Sequence, residues 1–162
     1  MTSIRVGHGF DVHPFSEQAH RPLVLGGIVF EGERGLAGHS DSDVVAHAVA
    51  DALLGAAGLG DIGQHFPDTD PALTDADSLV LLAEACARVR AAGWVPANVD
   101  CTVVLEAPKL AHRRDEMQAQ LRAATGCDVT VKATRAEGLG ALGRREGVAC
   151  FAVALVERES QH

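Results

Sequence analysis

The chain has 162 residues, enough for one domain with its own core. Hydrophobic residues make up 47% and charged residues 22%, values of a globular chain rather than a disordered one. With 14 basic against 22 acidic residues the net charge is −8, which argues against nucleic acid as a partner and demands metals or local cations for any phosphorylated substrate.

Residues 4–11 read as a short strand interrupted by glycines, and 23–30 as two extended pieces hinged at Gly26 and Gly27. A helix is expected from Ser40. Ser40 and Asp43 form a Ser-x-x-Asp start signal, Val44, Val45, Ala48, Ala52 and Leu53 follow at helical spacing, and the end falls at 54–58. Residues 60–71 hold two Gly, two Pro and three Asp, the composition of a functional loop. Ser78 can cap a second helix to Ala92, stopped by Gly93. A strand is expected over 99–105, a third helix over 109–125 after Pro108, and strands over 129–134 and 148–156. Helices and strands alternate without a clean βαβ repeat, so the fold class is α+β with a mixed sheet.

Cys86, Cys101, Cys127 and Cys150 form no Cys-x-x-Cys pair and sit in or beside apolar runs, as buried reduced thiols do. The first residues lack the apolar stretch of a signal peptide, and no segment approaches a membrane span, so the expected location is the cytoplasm.

Two clusters carry chemistry. In an extended segment, residues two apart point to one side, so Asp11 and His13 can grip one ion, and Pro14 biases His13 toward that extended form. On the expected helix, Asp43, His47 and Asp51 stack on one face. His47 is the best third ligand, with Asp43 or Asp51 placed to orient its second nitrogen. Three protein ligands and an open position make a catalytic zinc pattern. His39 and Ser40 fall at the expected helix start, where free amides could hold a phosphate.

Beyond these clusters, further segments fall into a recognisable order: Gly7 to His13, His39 to Asp43 with His47, Asp51 to Ala57, Gly60 to Gly63, Phe66 to Pro71, Ala107 to Lys109, Lys132 to Thr134, and Gly143-Arg144 with Glu146-Gly147. Taken together they resemble the 2-C-methyl-D-erythritol 2,4-cyclodiphosphate synthase family of the non-mevalonate isoprenoid pathway, and they span nearly the whole chain. The resemblance implies one catalytic domain over residues 1–162, a homotrimer with its sheets facing the three-fold axis and helices on the other face, and active sites between subunits. It implies a cytidine diphosphate substrate, whose 2-phosphate attacks its own β-phosphorus and expels CMP, a phosphorus–oxygen lyase reaction. Asp11, His13 and His47 are then the ligands of Zn2+ or a similar divalent transition metal, and Glu137 that of Mg2+ or Mn2+ on the diphosphate. His39, Asp61, Lys132 and Thr134 fall to the catalytic set, with Asp61 and Gly63 near the methylerythritol part. Ala107, Pro108, Lys109 and Leu110 frame the cytosine. Ser40, Phe66, Asp68, Arg135 and Arg144 complete the substrate-binding set.

Two departures from the family stand out. Arg135 and Ala136 follow Thr134 where hydroxyl residues are usual, and Arg135 offers a guanidinium to a phosphate oxygen. Ala141 replaces a common aromatic while Phe151 stands where an acidic residue is common, beside Phe10 and Arg144 on the three-fold axis. Phe151 is expected to fill the volume that Ala141 vacates, at the expense of an isoprenoid phosphate site in that cavity.

Overall fold

A computed structural model describes residues 2–159. In chain order the strands are β1 (Thr2–Pro14), β2 (Leu23–Leu25), β3 (Ile28–Phe30), β4 (Val95–Val104), β5 (Asp128–Thr134) and β6 (Gly147–Glu159). The helices are α1 (Val44–Ala57), α2 (Ile62–His65), α3 (Ser78–Ala91), α4 (Arg114–Thr125) and α5 (Gly140–Gly143). Four strands form one sheet in the order β1-β6-β4-β5, antiparallel except for the parallel β4–β5 pair, while β2 and β3 make a separate hairpin. The expected mixed α+β architecture is therefore present. None of the described helices is long and apolar enough to cross a membrane.

Alternation along the strands separates two faces. On β6, Cys150, Ala152, Ala154 and Val156 are buried, whereas Phe151 and Val153 are exposed. On β1 the buried positions are Gly7 and Gly9, and these two glycines are needed where they stand. A Cβ on Gly7 would lie 2.0 Å from the Ala52 carbonyl oxygen, and one on Gly9 would lie 2.0 Å from that of Ala48. Their absence lets α1 lie directly on β1. α1 is buried almost all round, as expected of a central helix.

Among the described residues nothing covers the opposite face of the sheet. Ile4, Val6, Phe10, Val12, Phe151 and Val153 all expose their side chains there, and the Phe10 and Phe151 rings lie 4.9 Å apart. Cys86, Cys101 and Cys150 are buried, Cys127 is half-buried, and all four are free thiols, with burial pushing Cys86 up to about 11.

Several expected boundaries move. α1 starts at Val44 rather than Ser40, because Ser42 adopts φ 60° and Asp43 is the residue that caps. α3 is capped by Asp77, one residue before Ser78. α4 begins at Arg114, five residues later than expected, after a turn following Leu110. The 60–71 segment includes the short α2. α5, only four residues long, had no periodicity to reveal it.

Candidate active site

The C-terminal half of β1 delivers Asp11 and His13 to the helix side of the sheet, and α1 delivers His47 from above. One ligand atom from each lies within 4.8 Å of the others. Asp11 Oδ2 is 2.9 Å from His13 Nε2 and 3.1 Å from His47 Nδ1.

The hydrogen bonds behind the imidazoles fix what these nitrogens present. His13 Nδ1 is 2.9 Å from the Ala37 carbonyl, which can only accept, so the proton of the neutral ring sits on Nδ1. His13 Nε2 is then a lone pair, buried without a hydrogen-bond partner despite its closeness to Asp11. His47 Nε2 lies 2.8 Å from Ser78 Oγ, and that hydroxyl gives its own proton to the Asp41 carboxylate. His47 Nε2 must therefore donate, which turns the Nδ1 lone pair toward Asp11. With the neutral rings in these tautomers, two lone pairs and a carboxylate oxygen converge, an arrangement that suits a cation. The residues fit a divalent metal.

Electrostatics agree. Burial would raise the Asp11 pKa, but the adjacent imidazoles of His13 and His47 outweigh it and hold the carboxyl well below the usual carboxylate range. Burial opposes a charge on His13, yet Asp11 alongside raises its pKa above the ordinary 6.5.

Neither Asp43 nor Asp51 orients His47, contrary to the helical-stacking expectation. Asp43 is buried and accepts from the backbone N–H groups of Gly26, Gly27, Val45 and Ala46 at 2.7–3.2 Å. Burial and the Asp41 charge push its pKa up to about 6 against the pull of those donors. Asp51 accepts from the Ile62 N–H and ties α2 to α1. Ser40 does not stand at the start of α1, where Asp43 takes the Val45 and Ala46 amides. Ser40 is instead buried, its hydroxyl 3.1 Å from His47 Nε2. The supporting roles of Ala37, Asp41 and Ser78 were missed because Ser78, 31 positions from His47, links Asp41 to the imidazole, and the Ala37 carbonyl reaches His13 across 24 positions.

The expected site residues divide between two cavities. Asp11, His13, His39, Ser40, His47, Gly63, Phe66 and Asp68 line one of about 520 Å3. Pro108, Lys109, Leu110, Lys132, Thr134 and Arg135 line another of about 630 Å3. Lys132 extends from the exposed side of β5 to Asp100, 2.5 Å away. Arg135 is exposed and 3.7 Å from Glu137. Glu137 itself has φ 54° and lines neither cavity. Asp61 caps α2 through one oxygen, Ala107 lies in a neighbouring small cavity, and Arg144 is paired with Glu146.

The two cavities flank opposite edges of one sheet. Val12 of β1 pairs with Ala149, Ala149 with Val104, and Val104 with Thr134 of β5, so both cavities sit at the same end of the sheet. Three strand spacings separate the two edges, about 14 Å.

The YgbB family pattern matches residues 4–157. The chain belongs to the YgbB family. It is 57% identical to the 2-C-methyl-D-erythritol 2,4-cyclodiphosphate synthase of Bordetella petrii, covering 96% of this chain and 97% of that one. Among solved structures it resembles the bifunctional IspDF of Campylobacter jejuni, with a TM-score of 0.93 and 41% identity, covering 99% of this chain and 44% of that one. The Plasmodium falciparum IspF CDP complex matches with a TM-score of 0.83 and 28% identity, over 98% of each chain.

Proposed function

We propose that this YgbB-family chain is a 2-C-methyl-D-erythritol 2,4-cyclodiphosphate synthase, a lyase of the non-mevalonate isoprenoid pathway. The observation that carries the reading is the near full-length likeness to a curated synthase. The substrate is 4-diphosphocytidyl-2-C-methyl-D-erythritol 2-phosphate. An oxygen of its 2-phosphate bonds to the β-phosphorus, the bond from that phosphorus to the α-phosphate oxygen breaks, and CMP leaves with the electron pair. No protein nucleophile is required, so the protein's task is to hold two like-charged phosphates in line and to absorb their charge.

Asp11, His13 and His47 would hold Zn2+ or a similar ion and Glu137 Mg2+ or Mn2+, which when bound polarise phosphate oxygens and offset the charge of the departing CMP. His39, Ser40, Asp61, Gly63, Phe66 and Asp68 would receive the methylerythritol phosphate part. Ala107, Pro108, Lys109 and Leu110 would frame the cytosine, with Lys132, Thr134 and Arg135 beside the diphosphate, where Arg135 contributes a charge-assisted bond. Arg144 would lie toward the three-fold axis.

The reading further includes a homotrimer. A heterologous, head-to-tail contact closed by three-fold symmetry brings the β5-edge cavity of one subunit to the β1-edge cavity of the next, and it covers the apolar sheet face. Incubating the protein with substrate, zinc and magnesium and following phosphorus NMR tests the reaction. Cyclic diphosphate with equimolar CMP is expected; linear products with inorganic phosphate, or unchanged substrate, would overturn the reading.

A further inference from the structure

Behind the metal triad lies an arginine that no part of the proposed reaction uses. Arg21 sits in the segment between β1 and β2, its side chain 14% exposed. Its Nε donates to the Leu36 carbonyl at 2.5 Å, and Nη2 reaches the carbonyls of Gly38, at 3.2 Å, and Ser40, and the Ser42 hydroxyl at 3.0 Å. Nη1 faces Asp75 at 3.6 Å. One guanidinium thus closes the 36–42 loop on itself and ties it to the segment leading into α3.

That loop supplies partners to both imidazoles. The Ala37 carbonyl fixes the His13 tautomer, and the Ser40 hydroxyl lies against His47 Nε2. Backbone bonds also pin the loop, from Ala37 N–H to the Pro14 carbonyl, from Asp41 N–H to the Ala76 carbonyl and from Ser42 N–H to Ser40 Oγ, but Arg21 is the side chain that joins its carbonyls to one another, up to Ser42 at φ 60°, a conformation non-glycine residues seldom adopt. The planar fork of Arg21 satisfies three carbonyls at once, which a lysine ammonium cannot do with the same fixed directions.

We propose that Arg21 is a positioning residue for the metal centre. It holds the 36–42 loop in the conformation that turns the lone pairs of His13 Nε2 and His47 Nδ1 toward Asp11. The inference rests on the reading of Asp11, His13 and His47 as metal ligands.

The test is titration of the metal-free protein with Co2+, followed by visible absorption, for the parent, Arg21→Lys and Arg34→Gln. Arg34 makes a comparable stitch, donating to the Ser16 carbonyl at 2.6 Å, without touching the 36–42 loop. Arg21→Lys is expected to weaken cobalt binding about 10–100-fold, the usual loss when a partner behind a ligand is removed, and to change the absorption bands. Arg34→Gln is expected to leave both unchanged. If Arg21→Lys does not fold, Arg21→Gln replaces it with the same expectation. A parent that binds cobalt and an Arg21 variant with the same affinity and spectrum would overturn the proposal alone. Equal losses in the Arg21 and Arg34 variants would overturn it too, as a general loosening. A parent that binds no cobalt would overturn the metal reading and this proposal with it.

Discussion

Ser78 Oγ lies 2.8 Å from His47 Nε2, although the two residues are 31 positions apart. The hydroxyl is committed to Asp41 as donor, so it can only accept from the imidazole. Ser78→Ala removes that acceptor and frees the ring to rotate or to change tautomer. Metal affinity should fall about 10–100-fold, measured by competition with a chromophoric chelator. Because Asp77 rather than Ser78 caps α3, the helix itself should persist, and far-ultraviolet circular dichroism should be unchanged.

Gly9 allows α1 to rest on β1, and that contact also sets the separation of His47 from Asp11. Gly9→Ala would drive a methyl group to 2.0 Å from the Ala48 carbonyl oxygen, with backbone on both sides unable to yield. A loss of about 3 kcal/mol is expected, at the upper end for overpacking. Urea unfolding gives the value, and a loss below about 1 kcal/mol would mean that helix and strand separate easily.

The triad was legible because its spacing is local: two residues apart on a strand, and one imidazole on a strongly apolar helix. The hairpin hinge at Gly26 and Gly27 and most elements were legible for the same reason. What supports the triad was not. Helical stacking pointed to Asp43 and Asp51, but Asp43 lies outside the helical turns as the cap of α1, and backbone N–H groups bind both carboxylates. The Ser-x-x-Asp signal contains two capping residues, and only the left-handed turn at Ser42 decides for Asp43. Ala37 and Ser78 reach the site through tertiary contacts that no window of sequence contains, and Asp41, though close in sequence, acts on His47 only through Ser78.

The proton and the metal compete for His13, which gives metal binding a defined pH dependence. The raised pKa of His13 contributes stability to the metal-free chain that is fully present below 6.5 and lost as pH rises through the folded value. The depressed pKa of Asp11 contributes stability present above 3.8 and lost as pH falls through its folded value. A metal must displace the His13 proton below that raised folded pKa. Apparent metal affinity should therefore climb about tenfold per pH unit below the raised folded pKa of His13 and level off once His13 is neutral. Isothermal titration at several pH values checks this, and a flat profile over the range would contradict it.

The uncovered sheet face predicts the effect of a charge placed on it. Val153 is 45% exposed and stands between His8 of β1 and Asp100 of β4, with Phe151 two positions away on the same face. Val153→Glu should leave the subunit folded while dissociating the proposed trimer, because its carboxylate would be desolvated there beside the Asp100 carboxylate. Sedimentation velocity distinguishes the species. A variant with the parent's mass in solution would count against burial of this face between subunits.

The central claim is that the cavities on the two edges of the sheet act together only across a subunit boundary. Its most direct test mixes two inactive variants, His47→Ala and the double variant Lys109→Ala/Thr134→Ala, unfolded and refolded together in equal amounts. Random assembly should restore about a quarter of the parent activity, since each half-site is intact in half of the subunits and the two halves meet from different chains. A mixture no more active than its separate components would contradict the account, because it would place the whole site within one chain.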